Sequence, residues 1–333
     1  TGTATGTYNS KDVATATTVT YGGLSLTGAQ AGNYTLTIQS PAAATITAKA
    51  LTMSGLSVPA SKVYDGTNTA AVTGAPALQA VEAPGAGTTS DGKPYTGDTV
   101  SITGTAVGTF ASKNVGASLP ITLTGLSLTG TQAGNYTLTL QSLTSAITAK
   151  PITVTAVMNA KLYDGLTTAA AIPTNTGVVS GDTANFIESY SNKHVGFNTK
   201  TLVPSGTVTD GNSGNNYSYT FVNFTTGTIT AMPITVTAVT NTKVYDGTTT
   251  AAAIPTNSSV IAGDTANFTE AYSNKNVGAG NKTLVPAGTV SDGNGGNNYT
   301  YTFVNFTTGT ITVKPITVTA ITNTKVYDGT TSA

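Results

Sequence analysis

The sequence of 333 residues contains no cysteine and no tryptophan, and its 14 cationic side chains are all lysine. Charged residues make up 8% of the chain, and the formal net charge is zero. The absence of cysteine excludes disulfides and thiolate-bound metals. A neutral chain without arginine lacks the dense positive field that binds nucleic acid or anionic lipid. We therefore expect neither nucleic acid nor a membrane surface as a partner.

Long apolar segments are also missing. No apolar run approaches the length of about 20 residues that a membrane-spanning helix needs. The opening TGTATGTYNS has neither the basic segment nor the apolar core of a secretion signal. Because the sequence begins and ends inside repeated phrases, we expect it to be a segment of a longer polypeptide.

The residues that dominate instead are Thr, Ala, Gly, Val and Asn. Thr and Val are β-branched and favour strands, while Gly and Asn favour the turns between them. With 38% hydrophobic residues in alternating patterns, the composition predicts a folded β protein and not a disordered chain.

Internal repeats organise the whole sequence. The phrase KVYDGTTTAAA at 243–253 has related copies that begin at residues 62, 161 and 325. Tyr163, Tyr245 and Tyr327 are each 82 residues apart, whereas Tyr64 precedes Tyr163 by 99. The extra length fits the Gly-, Ala- and Pro-rich stretch Gly74–Gly97, which we interpret as a loop insertion.

These intervals predict the domain boundaries. Copy 1 is the C-terminal part of a β-sandwich repeat, copy 2 is a repeat with the insertion, and copies 3 and 4 are complete repeats. A fifth copy contributes only its first strand and turn. The predicted ranges are 1–49, 50–149, 150–231, 232–313 and 314–333, respectively.

Each copy has the pattern of short strands. ITVTAV at 152–157 alternates apolar residues with Thr, and turn signals recur roughly every 8–12 residues. This spacing predicts an all-β fold of tandem immunoglobulin-like β-sandwich modules. Only Ala231, Met232 and Pro233 separate two consecutive modules, and proline restricts the backbone. We therefore expect stiff linkers and a beaded rod.

The recurring Tyr-Asp-Gly raises the question of an active site. Catalysis by its Asp would need a neighbouring acid, base or metal, and only a lysine recurs nearby. As a structural turn, Tyr packs into its own module, Asp bonds a backbone N–H, and Gly adopts a positive φ. We favour the structural interpretation and expect no enzyme. The motif residues are Tyr64, Asp65, Gly66, Tyr163, Asp164, Gly165, Tyr245, Asp246, Gly247, Tyr327, Asp328 and Gly329.

A second repeated motif, with the sequences DGNSGNNY and DGNGGNNY, could bind calcium or form a hairpin. DGNSGNNY and DGNGGNNY place Asp210 with Asn212, and Asp292 with Asn294, as hard oxygen donors two residues apart. Both lack the bidentate Glu of a calcium loop, and a Gly/Asn hairpin explains the same letters. We predict no cofactor and keep calcium as a hypothesis.

Three kinds of modification or surface site were also considered. A Lys–Asn or Lys–Asp isopeptide crosslink beside a buried Glu is one, with Lys161, Lys243, Asn216, Asn298, Glu188 and Glu270 as candidates. N-glycosylation is another, at sequons that begin at Asn33, Asn135, Asn216, Asn223, Asn267, Asn298 and Asn305. His194 is replaced by Asn114 and Asn276 in other copies, so we predict a solvated surface residue there.

The phrases KVYDGTTTA, NKNVG and AGNYTL together resemble the YDG and MBG-type repeat domains of bacterial filamentous-haemagglutinin-like surface adhesins. The resemblance covers nearly the whole chain. It implies an extracellular stalk or adhesin built of β-sandwich modules, without catalysis. The insertion at Gly74–Gly97 and the DGNSGNNY form of the later copies depart from the pattern.

We therefore expect a repetitive segment of a large bacterial surface protein, secreted or on the cell surface, that forms a stiff fibre for attachment. Its expected partners are neighbouring modules, other copies of the fibre and surface glycans. The alternative is a self-associating subunit of an extracellular filament or biofilm matrix, joined by strand addition between modules.

Overall fold

The computed structural model describes residues 1–332, and these residues form strands without any α-helix. Two single-turn 3₁₀ helices occur at Ala31–Asn33 and Ala133–Asn135. The prediction of an all-β protein is confirmed. The strands form seven sheets. Among the described residues, no helix is long and apolar enough to cross a membrane.

Copies 1 and 2 contain eleven strands. Those of copy 1 form one sheet in the order β1-β2-β3. Copy 2 has one sheet in the order β10-β4-β7 and another in the order β5-β11-β9-β8-β6. The strands are β1 (Thr5–Tyr8), β2 (Thr18–Gly22), β3 (Ala42–Ala43), β4 (Lys49–Ser57), β5 (Ser61–Val63), β6 (Thr69–Ala70), β7 (Thr73–Leu78), β8 (Ser101–Phe110), β9 (Gly116–Thr129), β10 (Tyr136–Thr139) and β11 (Leu143–Thr148).

Copies 3 and 4 repeat one arrangement of seven strands. Copy 3 has the sheets β14-β12-β17 and β13-β18-β16-β15, and copy 4 has β21-β19-β24 and β20-β25-β23-β22. The strands of copy 3 are β12 (Lys150–Thr155), β13 (Ala160–Leu162), β14 (Thr174–Asn175), β15 (Thr183–Tyr190), β16 (Gly196–Thr209), β17 (Tyr217–Val222) and β18 (Phe224–Thr230). Those of copy 4 are β19 (Met232–Thr237), β20 (Thr242–Val244), β21 (Thr256–Asn257), β22 (Thr265–Tyr272), β23 (Gly278–Ser291), β24 (Tyr299–Val304) and β25 (Phe306–Thr312).

The first two strands of a copy pair in parallel with its last two strands. In copy 4, β19 pairs in parallel with β24 along six residues, and β20 pairs in parallel with β25. Because each of the last two strands runs in the same direction as its partner among the first two, the chain enters the copy at one end and leaves it at the other. A copy built in this way can be followed directly by another, and only Ala231 separates β18 from β19.

The core of copy 4 draws on both of its sheets, because inward residues alternate with Thr along each strand. Ile234 and Val236 of β19 are buried with Phe268 of β22 and Val290 of β23. The same cluster continues into Tyr163, Tyr190, Leu202 and Ile229 of copy 3. The hydrophobic core is therefore continuous from copy 3 into copy 4.

Ion pairs attach the insertion of copy 2 to the rest of that copy. Its first residues belong to β7, which pairs antiparallel with β4. The Lys49 ammonium is buried between Glu82, at 2.5 Å, and Asp91, at 2.9 Å. It also lies 4.2 Å from the centre of the Tyr95 ring. Residues 79–97 contain no strand of a sheet, and charged and aromatic residues of this loop pair with a core-facing lysine.

The chain divides into two compact units, and the division passes through copy 3 instead of between copies. The first unit consists of Thr1–Ile152, Gly177–Ala184 and Thr207–Tyr219. The second consists of Thr153–Thr176, Asn185–Gly206 and the described residues from Thr220 onward. Copy 3 thus shares the first unit with copy 2 and the second unit with copy 4.

Residues 314–332 contain no strand, although the repeat predicts the first strand of a fifth copy there. The apolar side chains of Ile316, Val318 and Ile321 are exposed. In copy 4 the corresponding strand β19 is held by β21 and β24, which come later in the copy. A first strand without such partners has no ladder to join. The last position of this prediction, 333, lies outside the described residues.

Candidate functional site

The Tyr-Asp-Gly turn has the same local geometry in every copy in which it occurs. In copy 3, Lys161 Nζ donates to Asp164 Oδ1 at 2.7 Å, and the Leu166 N–H donates to the same oxygen at 2.9 Å. Gly165 has φ +79°, a left-handed conformation that glycine adopts without steric cost. The equivalent ion pairs are Lys62–Asp65, Lys243–Asp246 and Lys325–Asp328.

The lysine and the backbone N–H stabilise the ionised carboxylate. In the exposed turn of copy 4, the ammonium of Lys243 and the N–H of Thr248 lower the pKa of Asp246 to about 2. Lys243 also lies 5.6 Å from the centre of the Tyr272 ring, at the edge of the core. The Asp246 carboxylate therefore accepts hydrogen bonds that fix the turn.

The tyrosine of the motif joins its copy to the next one. The Tyr163 hydroxyl of copy 3 donates to Asp264 Oδ2 of copy 4 at 3.0 Å, and the Tyr299 hydroxyl donates to the same oxygen at 2.7 Å. The two tyrosine rings meet edge to face, with centroids 5.5 Å apart. Lys193 Nζ lies 3.9 Å from the other carboxylate oxygen of Asp264. Three side chains from two copies thus surround one buried carboxylate.

The same arrangement occurs between copies 2 and 3. Tyr64 and Tyr217 donate to Asp182 Oδ2 at 2.9 and 2.6 Å, and their ring centroids are again 5.5 Å apart. Lys113 Nζ lies 3.7 Å from Asp182 Oδ1. The side chain of Asp182 is almost fully buried. We call this constellation, with the asparagine described next, the joint.

An asparagine completes each joint, and it is fully buried in the joints between copies 2 and 3 and between copies 3 and 4. Asn298 Oδ1 of copy 4 accepts the backbone N–H of Val195 of copy 3 at 3.0 Å. It also accepts the Asn294 Nδ2 at 3.0 Å, and Asn298 Nδ2 lies 3.3 Å from His194 Nδ1. Asn298 is fully buried, so water cannot satisfy its amide. Residues of both copies supply its hydrogen-bond partners instead.

Equivalent asparagines occupy the other two joints. The Val115 N–H of copy 2 donates to Asn216 Oδ1 of copy 3 at 2.9 Å, and Asn216 Nδ2 donates to Asn114 Oδ1 at 3.1 Å. Between copies 1 and 2, the Val13 N–H donates to Asn135 Oδ1 at 2.9 Å. The contact therefore recurs three times with nearly the same geometry.

The aspartates of the calcium hypothesis support these asparagines. Asp292 Oδ1 accepts the N–H groups of Asn294 and Gly296 at 2.7 and 2.8 Å, and Oδ2 accepts the N–H of Asn298 at 2.9 Å. Although burial opposes the shift, these three N–H groups lower the pKa of Asp292. Asp210 and Asn212 have the same geometry in copy 3. No group of three or more His, Asp or Glu within residues 1–332 could hold a metal ion.

The joint between copies 1 and 2 lacks one tyrosine. Tyr136 donates to Asp98 Oδ2 at 2.6 Å, and Lys11 Nζ lies 3.6 Å from Asp98 Oδ1. Residues 1–49 contain no Tyr-Asp-Gly that could supply a counterpart of Tyr64. A cavity of about 670 Å³ lies here instead, with Tyr136 and Asp98 among its lining residues.

Burial and the shared carboxylate favour the neutral form of the joint tyrosines. Burial, followed by the hydrogen bond to Asp264, raises the pKa of Tyr163 to about 12. The pKa of Tyr299 is raised for the same two reasons. Burial and Asp98 likewise raise the pKa of Tyr136 to about 12. The phenols are therefore hydrogen-bond donors at neutral pH.

Several predicted site residues have different surroundings from those expected. Tyr64 and Tyr163 are buried against the following copy, and not only inside their own module. Tyr245 is half-buried and Tyr327 is exposed. The prediction that His194 is a solvated surface residue was wrong, because its ring is half-buried against Asn298.

The candidates for a Lys–Asn crosslink do not come together in copy 4. Lys243 Nζ donates to Asp246 and to the Thr248 carbonyl, whereas Asn298 bonds residues of the joint. Glu270 Oε2 instead accepts the Val239 N–H at 2.8 Å. In copy 3, Lys161 donates to Asp164 and Glu188 accepts the Val157 N–H at 2.8 Å.

Burial also removes two of the glycosylation candidates. Asn216 and Asn298 are fully buried, and each side-chain amide is bonded on both of its polar atoms. An attached glycan would have to displace the neighbouring copy, so these two sequons serve the fold instead.

Sequence reasoning missed the carboxylates and lysines of the joint: Asp182, Asp264, Lys113 and Lys193. A signal for them was present. The phrases GDTANF and NKxVG recur with the same 82-residue step and place charged residues on predicted turns. Their pairing across two copies follows from the three-dimensional arrangement of the strands.

The fold and the joints define an all-β protein of tandem, interlocked repeats. The model of the YDG domain family matches residues 1–44, 47–145 and 230–308, together more than half of the chain. The chain therefore belongs to the YDG domain family. Searches of curated proteins and of solved structures found no significant match.

Proposed function

We propose that this chain is an extracellular, repetitive stalk or adhesin segment of a large bacterial surface protein, in which immunoglobulin-like β-sandwich modules form a stiff fibre for attachment. The joint is the observation that carries the proposal. It recurs at three successive boundaries. At each boundary an asparagine of one copy accepts a backbone N–H of the other copy, and an aspartate of one copy lies close to a lysine of the other. A repeated interlocking contact is useful where a protein must hold distance and transmit force.

The internal geometry of each copy also supports a fibre. The first two strands of copy 4 run parallel to its last two, an arrangement that suits entry and exit of the chain at opposite ends. The single residue between β18 and β19 leaves little length for a flexible linker. In repeat arrays, stability comes from each repeat and from its interfaces with its neighbours. We infer a beaded rod that holds a binding region away from the cell.

The surface chemistry fits an attachment role. Charged residues are only 8% of the chain, so electrostatic capture of unrelated polymers is weak. Thr is the commonest residue at the solvent-facing positions of the strands, and Ser and Asn also occur there. Such residues offer hydroxyl and amide groups that can bond surface glycans or neighbouring fibres.

Small-angle X-ray scattering on the 333-residue chain tests the stiff fibre. We expect the pair-distance distribution of a rod, with a long tail and a cross-section of one module. A distribution typical of a compact particle, or of a flexible string of beads, would contradict the proposal. Binding of the chain to a glycan array, with heat-unfolded chain as control, tests whether the repeats themselves adhere.

One observation favours the alternative, a self-associating filament or matrix subunit. Residues 314–332 carry strand-type alternation but form no strand, and Ile316 and Val318 are exposed. Such a segment can add to the sheet edge of another molecule. Sedimentation velocity separates the two functions, because self-association makes the sedimentation coefficient rise with concentration whereas an isolated rod keeps its value.

A further inference from the structure

We propose that the end of copy 4 carries an unfilled half of the joint and that this surface binds the entry face of one further complete YDG repeat. The surface, which we call the free face, consists of Tyr245, Lys275, Asn276 and Val277. This proposal rests on the proposed function, because it extends the contact of the joint to the next module of a fibre.

Each group of the free face has a counterpart that is occupied elsewhere in the chain. Tyr245 corresponds to Tyr163, whose hydroxyl binds Asp264. Lys275 corresponds to Lys193, which lies beside the same carboxylate. The free face therefore has the side-chain donors of a joint, at the positions of copy 4 that are equivalent to those of copy 3.

The free face also carries the backbone N–H that a joint requires. Val277 corresponds to Val115 and Val195, whose N–H groups donate to a buried asparagine at 2.9 and 3.0 Å. Within residues 1–332, neither the Val277 N–H nor the Tyr245 hydroxyl has a hydrogen-bond partner. In the joints between copies 2 and 3 and between copies 3 and 4, the corresponding N–H and hydroxyl groups are hydrogen-bonded.

A cavity marks the place of the missing partner. Its volume is about 520 Å³, and it is lined by Tyr245, Asn276, Val277, Val313, Lys314 and Ile316. In the joint between copies 3 and 4, Tyr299 packs edge to face against Tyr163 at the corresponding place. The free face thus combines an apolar hollow with unpaired donors, which fits a partner that presents a tyrosine ring and acceptor groups.

The chemistry of the partner follows from the filled joints. It must present a carboxylate that accepts from Tyr245 and Lys275, and an asparagine carboxamide that accepts the Val277 N–H. It must also present a tyrosine ring. In copy 3 these groups are Asp182, Asn216 and Tyr217. Residues 314–332 match only the first strand and turn of a repeat and contain neither the Gly-Asp nor the Asn-Tyr phrase.

The experiment completes a fifth repeat within the same molecule. Lys325 corresponds to Lys161, so residues 170–231 appended after position 333 continue the repeat in phase. Hydrogen exchange is then measured at the Val277 N–H in the 333-residue chain and in the extended chain. Val195 is the internal standard, because its N–H is already bonded to Asn298. We expect exchange at Val277 to slow at least about tenfold in the extended chain, toward the rate of Val195.

A matched variant separates docking from folding of the added repeat. In the extended chain, the appended counterpart of Asn216 is replaced by alanine. We expect fast exchange to return at Val277 while the core amides of the appended repeat remain protected.

Two results would overturn the inference. One is unchanged fast exchange at Val277 beside a folded fifth repeat. The other is an appended repeat that stays unfolded although the identical sequence of copy 3 is folded in the same molecule. Neither result depends on the scattering profile or glycan binding of the original chain, so failure of the free face and failure of the proposed fibre are distinguishable.

Discussion

At the scale of single residues, the Tyr-Asp-Gly turn combines a local and a non-local function. The Lys–Asp pair and the bond to the following backbone N–H form even at Lys325 and Asp328, where residues 314–332 have no strand. The turn is therefore encoded by its own sequence. Burial of the tyrosine, in contrast, depends on the next copy, since Tyr163 is buried and Tyr327 is exposed.

The glycine of the motif allows a test of how closely two copies approach. A Cβ at Gly165 would lie 2.8 Å from Ile261 Cγ2 of copy 4, whereas a Cβ at Gly247 would have no neighbour within 4 Å. Both glycines have a positive φ, so alanine introduces backbone strain of about 1–2 kcal/mol at either site. We expect Gly165→Ala to reduce the free energy of unfolding by about 1–3 kcal/mol more than Gly247→Ala, because of the added overlap. Urea unfolding measures the difference, and equal losses would mean that Ile261 moves aside without cost.

The tyrosine hydroxyl can be tested in the same paired way. Tyr163→Phe removes a donor to the Asp264 carboxylate but keeps the ring. We expect it to lower the free energy of unfolding by about 1 kcal/mol, since Tyr299 still bonds the carboxylate. Tyr245→Phe is the control, because the Tyr245 hydroxyl has no hydrogen-bond partner among residues 1–332. Urea midpoints that shift equally for both variants would contradict the joint described for Tyr163.

At the scale of elements, the joint between copies 3 and 4 depends on one buried asparagine. Asn298→Ala removes the acceptor of the Val195 N–H and of the Asn294 amide. Each buried group left unpaired costs about 1–3 kcal/mol, so we expect a severe loss of stability. Hydrogen exchange at Val195 should accelerate together with this loss. Asn267→Ala, at an exposed position on β22, is the control and should leave exchange at Val195 unchanged.

Alkaline pH should weaken the joints before it affects most other contacts. In the folded chain the pKa of Tyr163 is about 12, against an ordinary value of 10.0, so the native state retains a proton that the unfolded chain releases. Its contribution to stability is complete below pH 10 and is lost as the pH rises toward 12. We expect the urea midpoint to fall across this interval, and to fall less steeply in Tyr163→Phe. Identical slopes in the two proteins would show that Tyr163 is not held in its neutral form.

The all-β fold and the repeat could be predicted because both are periodic in the sequence. Alternation of apolar residues with Thr identifies the strands, and Tyr-Asp-Gly identifies a turn through the chemistry of its own three residues. The partner of Tyr64 could not be predicted in this way, since Asp182 is 118 residues away and belongs to another repeat. The ion pairs of the insertion were missed for a similar reason, because Lys49 meets Glu82 only through tertiary structure. His194 was judged by its variation among copies, which does not exclude a position in a joint.

At the scale of the whole molecule, the joints couple neighbouring copies instead of merely linking them. Buried residues of copy 3, such as Leu202, form one cluster with residues of copy 4, such as Ile234 and Phe268. The division of the chain into two units passes through copy 3 for the same reason. Unfolding of one copy exposes the apolar surface of the next and removes its hydrogen-bond partners, which is the nearest-neighbour coupling of a repeat array.

Asp264→Asn tests this coupling at the joint between copies 3 and 4. The neutral amide keeps the size of the side chain, but hydrogen bonds to a charged group are about twice as strong as neutral ones. We expect the variant to lose about 1–3 kcal/mol and to separate the unfolding of the two copies. In calorimetry the van't Hoff enthalpy should then fall further below the calorimetric enthalpy than in the unchanged chain. Asp246→Asn, the same substitution in an exposed turn, should leave that ratio nearly unchanged because surface ion pairs contribute little. If Asp264→Asn lowers the stability but keeps the enthalpy ratio, the carboxylate stabilises the joint without coupling the copies, and the continuous apolar cluster alone must transmit unfolding between them.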